Sequence, residues 1–319
     1  MIKPVRPIAI EDIEQARERI KGTVRRTPLV KLDLGAGKPE IYLKLENLQP
    51  TNAYKIRGGA NAVAALSPEE RARGVWTVSA GNAGQGVAYA ARSSGVPCSV
   101  VAIETAPQSK LDRMRALGAT LIPVSYADAW NVLETHGYEG MEGAFIHPCD
   151  DHEFIAGHAT MGLEILEDCP DVRTVICAIG GGGLISGVAS AIKARRPDVT
   201  VLGAEPETAA PFALSLREGH PCKFEDWEPS FVDGAGGMSV TERMWQRMRP
   251  IVDGAITVTL DQTRDAMRII AEKTRTIAEG AGALSLAAAL TGEAGEGPIV
   301  CVVSGGNIDL GKFAELVAS

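Results

Sequence analysis

From about Gly74 to the C-terminal region the chain alternates short apolar runs with amphipathic runs, and this rhythm restricts its fold more than any other feature. Strands are predicted at 75–78, 98–103 and 120–124, and helices at 86–92, 108–117 and 127–135. A further strand begins at 145–146. The series resumes with helix 153–168, strand 173–179, helix 183–195 and strand 199–204. A turn-rich stretch follows over 206–250. Strand 255–259, helices 261–278 and 281–291 and strand 297–303 come after it. Strands separated by helices predict βαβ units, and so parallel sheets with helices on their faces. About ten strands are too many for one ordinary sheet, which predicts two. The compact 74–145 block reads as a smaller α/β domain inserted into a larger one, formed by 1–73 and 146–319.

The N-terminal part carries helical spacing at 10–21 and an extended run at Thr27-Pro28-Leu29-Val30. The alternation at 41–46 reads as a strand. Ser67 and Pro68 read as the N-cap and first residue of a short helix.

Totals narrow the class. The chain has 319 residues, 35 of them glycine, with only 5% aromatics and a net charge of −8. The many glycines suit tight strand-to-helix turns. The acidic balance argues against nucleic acid as a partner. The six cysteines form no CxxC pair and the five histidines no HExxH spacing. They read as buried, reduced thiols and ordinary histidines, with no metal centre. Met1–Pro7 lacks an apolar core of signal-peptide length, and no run is long enough to span a membrane. The expected setting is the cytoplasm.

Chemistry is concentrated at five segments. Pro50 to Gly59 places Lys55 between the 41–46 strand and an alanine-rich helix. A lysine at a helix start is disfavoured as a cation by the dipole, and its neutral amine attacks carbonyls. Gly180-Gly181-Gly182-Gly183-Leu184 joins a buried strand to a helix and reads as a phosphate cradle. It matches neither GxGxxG nor the Walker loop. Ser79-Ala80-Gly81-Asn82-Ala83 repeats that geometry and suits a carboxylate. Ser304-Gly305-Gly306-Asn307 is a third such turn, where Ser304 alone reads as a cap. The glycines around Glu279 suggest close backbone approach to something flat.

In this order the segments resemble the threonine/serine dehydratase family of pyridoxal-phosphate enzymes, fold type II, with serine racemases among its members. Thr27-Pro28-Leu29, Glu46 to Thr51 and His147-Pro148 resemble further landmarks of that family. The resemblance covers nearly the whole chain. It implies that Lys55 forms the Schiff base and acts as the base at Cα. Tyr54, where the family usually has phenylalanine, is implied to pack beside the cofactor ring. Asn82 is implied to bond the 3-hydroxyl, and Gly180, Gly181, Gly182, Gly183 and Leu184 to hold the phosphate. Ser304 is implied to meet the ring nitrogen, with Glu279 near the ring. Ser79, Ala80, Asn82 and Ala83 are implied to hold the substrate carboxylate. The implied partner is a small amino acid and the implied assembly a homodimer.

The implied reaction is loss of water and ammonia from a 3-hydroxy amino acid, giving a 2-oxo acid. A hydroxyl at the ring nitrogen favours prompt elimination over transamination. The alternatives are a threonine/serine dehydratase proper, a racemase, or a non-catalytic protein that binds the cofactor or amino acid. Ala80 stands where racemases have a second serine, so weak racemisation is expected. Ala83 replaces a usual histidine, and Asn52-Ala53 a usual Gly-Ser. These changes predict a substrate bulkier than threonine, of the phenylserine type. Ala204-Glu205-Pro206 resembles the start of a divalent-cation site, but Pro211 stands where its second carboxylate belongs, so no tight site is expected. The chain ends soon after Asn307, and isoleucine feedback is not expected.

Overall fold

The computed structural model describes every residue except 1, 3, 36, 38, 107 and 319. Met1 and Lys3 of the N-terminal run therefore lie outside the described residues. In chain order the elements are α1 (Ile10–Arg19), β1 (Leu29–Leu32), β2 (Ile41–Leu45), α2 (Lys55–Ala64), α3 (Pro68–Arg73), β3 (Val75–Val78), α4 (Asn82–Ser93), β4 (Cys98–Ile103), α5 (Gln108–Ala116), β5 (Thr120–Val124), α6 (Tyr126–Thr135) and β6 (Ala144–Phe145). They continue with α7 (His152–Asp168), β7 (Thr174–Ala178), α8 (Gly183–Arg195), β8 (Thr200–Pro206), α9 (Pro211–Glu218), α10 (Glu242–Met248), β9 (Gly254–Val258), α11 (Leu260–Thr274), α12 (Gly280–Leu290), β10 (Ile299–Val303) and α13 (Leu310–Ala318).

Two sheets form. One has strand order β1-β2-β10-β7-β8-β9, and the other β5-β4-β3-β6. All pairings are parallel except the antiparallel β1–β2 edge. The smaller sheet draws its strands entirely from Val75 to Phe145. The central strands β7 and β10 are buried at every position, as parallel strands covered on both faces must be.

Several predicted boundaries move. The helix expected at 86–92 starts four residues earlier, at Asn82. Gly84 and Gly86 look like breakers, yet they serve packing. A Cβ on Gly59 of α2 would lie 2.6 Å from the Gly86 carbonyl oxygen, and one on Gly86 would lie 2.8 Å from the Lys55 backbone. The helices α2 and α4 cross in backbone contact there. Gly157 of α7 meets the Arg57 carbonyl in the same way, and Gly187 of α8 meets that of Ile155. Part of the glycine content thus builds a layer of closely crossed helices, besides the turns. The helix expected to reach 278 stops at Thr274, where Arg275 takes a left-handed conformation. The stretch 206–250 contains α9 and α10, too short for periodicity to reveal.

Behind α2 lies a buried charge cluster. Arg57 bonds Glu46 and Glu164, each at 2.8 Å, and Lys44 Nζ lies 2.6 Å from Glu164. Two cations and two carboxylates balance, so no buried charge is left unpaired. The cluster ties the first turn of α2 to β2 and α7.

Candidate active site

Lys55 opens α2, as its sequence position suggests. Its Nζ donates to the Pro148 carbonyl at 2.5 Å and lies 5.3 Å from the ring centres of both Tyr54 and Phe154. Burial pulls its pKa down to about 8, with Cys149 acting weakly the other way. Desolvation is therefore the main cause, and the helix dipole is not needed.

Tyr54, Lys55, Gly180, Gly181, Gly182, Gly183, Leu184 and Ser304 line one narrow enclosed cavity. The chain brings them together by joining the ends of β7 and β10 to the start of α2. Tyr54 N–H donates to Ser304 O at 3.0 Å, and Ala53 bridges Gly305. Among the described residues, no acceptor takes the N–H groups of Gly180 to Leu184. These donors stand at the start of α8, and Gly182 has φ +83°, a left-handed conformation that favours glycine. A Cβ on Gly181 would lie 2.6 Å from Cys149 Sγ. The cradle is shaped for an anion, and it sits beside a partly neutral amine. These residues fit pyridoxal phosphate: an anion cradle, an amine for its carbonyl carbon, and the Ser304 hydroxyl in the same cavity.

Asn82 and Glu279 sit just outside that cavity. Asn82 Nδ2 donates to Glu279 Oε1 at 2.7 Å. Burial raises Glu279 to about 7, with Asp233 adding to the rise and Asn82 opposing it. The glycines after Glu279 do allow a close approach, but what approaches is protein: Gly282 meets the Gly305 carbonyl. Ser304 Oγ donates to Ala281 O at 3.3 Å. Ser79 Oγ accepts the Gly81 N–H at 3.1 Å, shaping the turn into α4. Ala80 and Ala83 flank Asn82, and Ala83 is buried. Neither Ser79, Ala80 nor Ala83 lines the Lys55 cavity; they join it through Asn82.

Asn52 has φ +54°, which explains why a position usually held by glycine accepts asparagine. Sequence reading left Asn307 and Arg113 without roles. Asn307 Nδ2 donates to Thr51 O and Asn82 Oδ1, each at 2.8 Å, and Arg113 donates to Asn307 Oδ1. Asn307 was visible as the end of its turn motif; Arg113 carried no signal. Cys149 was also missed, although His147-Pro148 stood out. Glu205 accepts the N–H groups of Phe212 and Ala213 at 2.9 and 2.8 Å, so both its oxygens cap α9.

A second cavity of ≈ 610 Å³ opens from Lys55 and Gly180. Trp130 and Leu133 of α6 face Val240, Met244 and Met248 across it. Its volume is that of a small-molecule site.

The pyridoxal-phosphate dependent enzyme family matches residues 20–305. The chain belongs to that family. It is 40% identical to an L-threonine ammonia-lyase of Thermotoga maritima, over 97% of this chain and 78% of the relative. It is 36% identical to a catabolic L-threonine dehydratase of Staphylococcus aureus, over 97% of this chain and 92% of the relative. Among solved structures, maize serine racemase superposes with TM-score 0.87 at 34% identity, covering 97% of each chain. A bacterial threonine deaminase superposes with TM-score 0.83 at 36% identity, covering 95% of this chain and 99% of that one. The fold is thus type II, and the cofactor is pyridoxal phosphate. The enzyme is a lyase of the threonine-dehydratase kind. Among the described residues no helix is long and apolar enough to cross a membrane.

Proposed function

We propose that this enzyme removes water and ammonia from a 3-hydroxy amino acid to give a 2-oxo acid. The observation that carries the reading is Lys55, an amine with a pKa of about 8 beside the unpaired N–H cradle of Gly180 to Leu184. When bound, pyridoxal phosphate supplies an electron sink that acidifies the substrate Cα–H. Its phosphate belongs on the glycine cradle, its ring between Tyr54 and Ser304, and its 3-hydroxyl at Asn82. The substrate carboxylate belongs on the first turn of α4, with Ser79, Ala80, Asn82 and Ala83 around it.

Lys55 takes the Cα proton, and its depressed pKa keeps a useful share of free amine near neutrality. The Cβ hydroxyl then leaves as water. Hydrolysis of the remaining fragment consumes one water and yields the 2-oxo acid and ammonium. Ala80 offers no second base on the opposite face of Cα, so racemisation is slow.

The apolar wall of Trp130, Leu133, Val240, Met244 and Met248 supports a side chain bulkier than that of threonine, the phenylserine type being the test case. The working form is a cytoplasmic homodimer, and light scattering on the eluting protein checks its mass. Ammonia release is to be measured on threonine, serine, phenylserine and 3-hydroxyaspartate. Phenylserine is expected to give the highest kcat/KM, and a clear preference for threonine sinks that choice while leaving the lyase intact. Lys55→Ala is expected to abolish both turnover and visible absorbance. Turnover without Lys55 overturns the reading.

A further inference from the structure

We infer that Arg113, on the outer helix α5, is a positioning residue that fixes which way the Asn82 amide faces. The argument rests on the proposed role of Asn82 toward the cofactor. An asparagine amide has one acceptor end and one donor end, and its orientation is set by neighbours that can play only one part. Asn307 has two such neighbours. Arg113 only donates, and its Nη1 bonds Asn307 Oδ1. Thr51 O only accepts, and it takes Asn307 Nδ2 at 2.8 Å. Asn52 Nδ2 adds a long bond of 3.4 Å to the same Oδ1. Asn307 is thereby locked with its amino end inward.

That lock passes to the next amide. Asn307 Nδ2 also donates to Asn82 Oδ1 at 2.8 Å. The other end of Asn82 must then be Nδ2, which donates to Glu279 Oε1 at 2.7 Å. Asn82 Nδ2 carries a second hydrogen, so the amide presents a donor toward the ring site. A carboxyl and two amides alone permit the reversed arrangement once Glu279 holds a proton, because a protonated Glu279 can donate to Asn82 Oδ1 instead. Arg113 excludes it, since a guanidinium cannot accept. The chain of bonds runs from the smaller sheet's helix, through the turn after β10, and back to the start of α4.

Arg113 is exposed, so Arg113→Ala removes the donor without opening the core. The holoenzyme variant is expected to fold with an unchanged melting temperature. Its affinity for pyridoxal phosphate should fall about tenfold, as loss of one charge-assisted bond implies. The ratio of visible to near-ultraviolet absorption of the bound cofactor should change, because that ratio responds to hydrogen bonding at the 3-hydroxyl. Arg113→Lys should restore both. Asn307→Asp keeps the acceptor for Arg113 but loses the donor to Asn82; it should reproduce the spectral change, and the double variant should be no worse than either single one. Lys110→Ala, which breaks the neighbouring ion pair to Asp233 on the same helix, should leave the spectrum alone. An unchanged spectrum and affinity in Arg113→Ala, or an equal change in Lys110→Ala, overturns the role of Arg113. Absence of any visible band in the unmodified enzyme instead overturns the cofactor roles proposed above.

Discussion

Glu279 is a buried carboxyl whose Oε1 accepts from Asn82, and burial holds its pKa near 7. The pH dependence that follows has a definite sign. Below the unfolded value of 4.5 both states are protonated and Glu279 is neutral to stability. Between 4.5 and 7 the unfolded chain releases the proton while the folded protein keeps it, so stability falls as pH rises. Above 7 the full penalty applies, up to about 3 kcal/mol. Glu279→Gln keeps the acceptor and removes the penalty. Its unfolding free energy should exceed that of the unmodified protein above pH 7 and match it below pH 4.5. Equal stabilities at about pH 8 would refute this. At this scale Lys55 was readable from its place between a strand and a helix, but the reason for its lowered pKa was not. Burial is a tertiary property, set by Phe154, Pro148 and Cys149 from a distant segment.

At the scale of elements, glycine carries two different jobs, and only one is legible in a linear sequence. Turn glycines follow buried strands, as Gly180 to Gly183 do, and the same spacing logic found the Ser67 cap of α3 with its reciprocal Glu70 bond. Contact glycines sit inside helices and look like breakers, which is why α4 was read four residues short. Gly86→Ala should push α2 and α4 apart at the Lys55 backbone, costing about 1–3 kcal/mol and lowering kcat. Denaturant unfolding and steady-state assays check both, and full activity at normal stability would show that the crossing does not set the site. The cradle glycines make a separate prediction. Gly181→Ala collides with Cys149 Sγ at 2.6 Å, so cofactor affinity should drop roughly tenfold. Cys149→Gly in the same chain clears the space and should recover part of the loss. Normal binding by Gly181→Ala alone would place the phosphate elsewhere.

For the whole molecule, the two sheets hold opposite ends of the proposed ligand pair. Lys55, the glycine cradle and Ser304 stand at the ends of strands in the six-stranded sheet. The Ser79 to Ala83 loop and Arg113 belong to the four-stranded one. We propose that 74–145 closes as a unit against the rest, pivoting where Gly59 meets Gly86. The pivot is backbone on backbone, with no long side chain to repack, whereas the far side is held by polar links that break and re-form: Lys110 to Asp233 and Arg113 to Asn307. A substrate carboxylate on α4, joined to a cofactor whose phosphate is on α8, draws these parts together. Hydrogen exchange should therefore slow at 79–86 and 108–117 when the holoenzyme binds an unreactive amino acid that lacks the 3-hydroxyl. Cofactor alone should protect chiefly 180–186, because it engages the cradle without the carboxylate. Protection confined to 180–186 in both cases would mean that the smaller sheet does not move with substrate. The specificity residues would then act only through the shape of a fixed cavity.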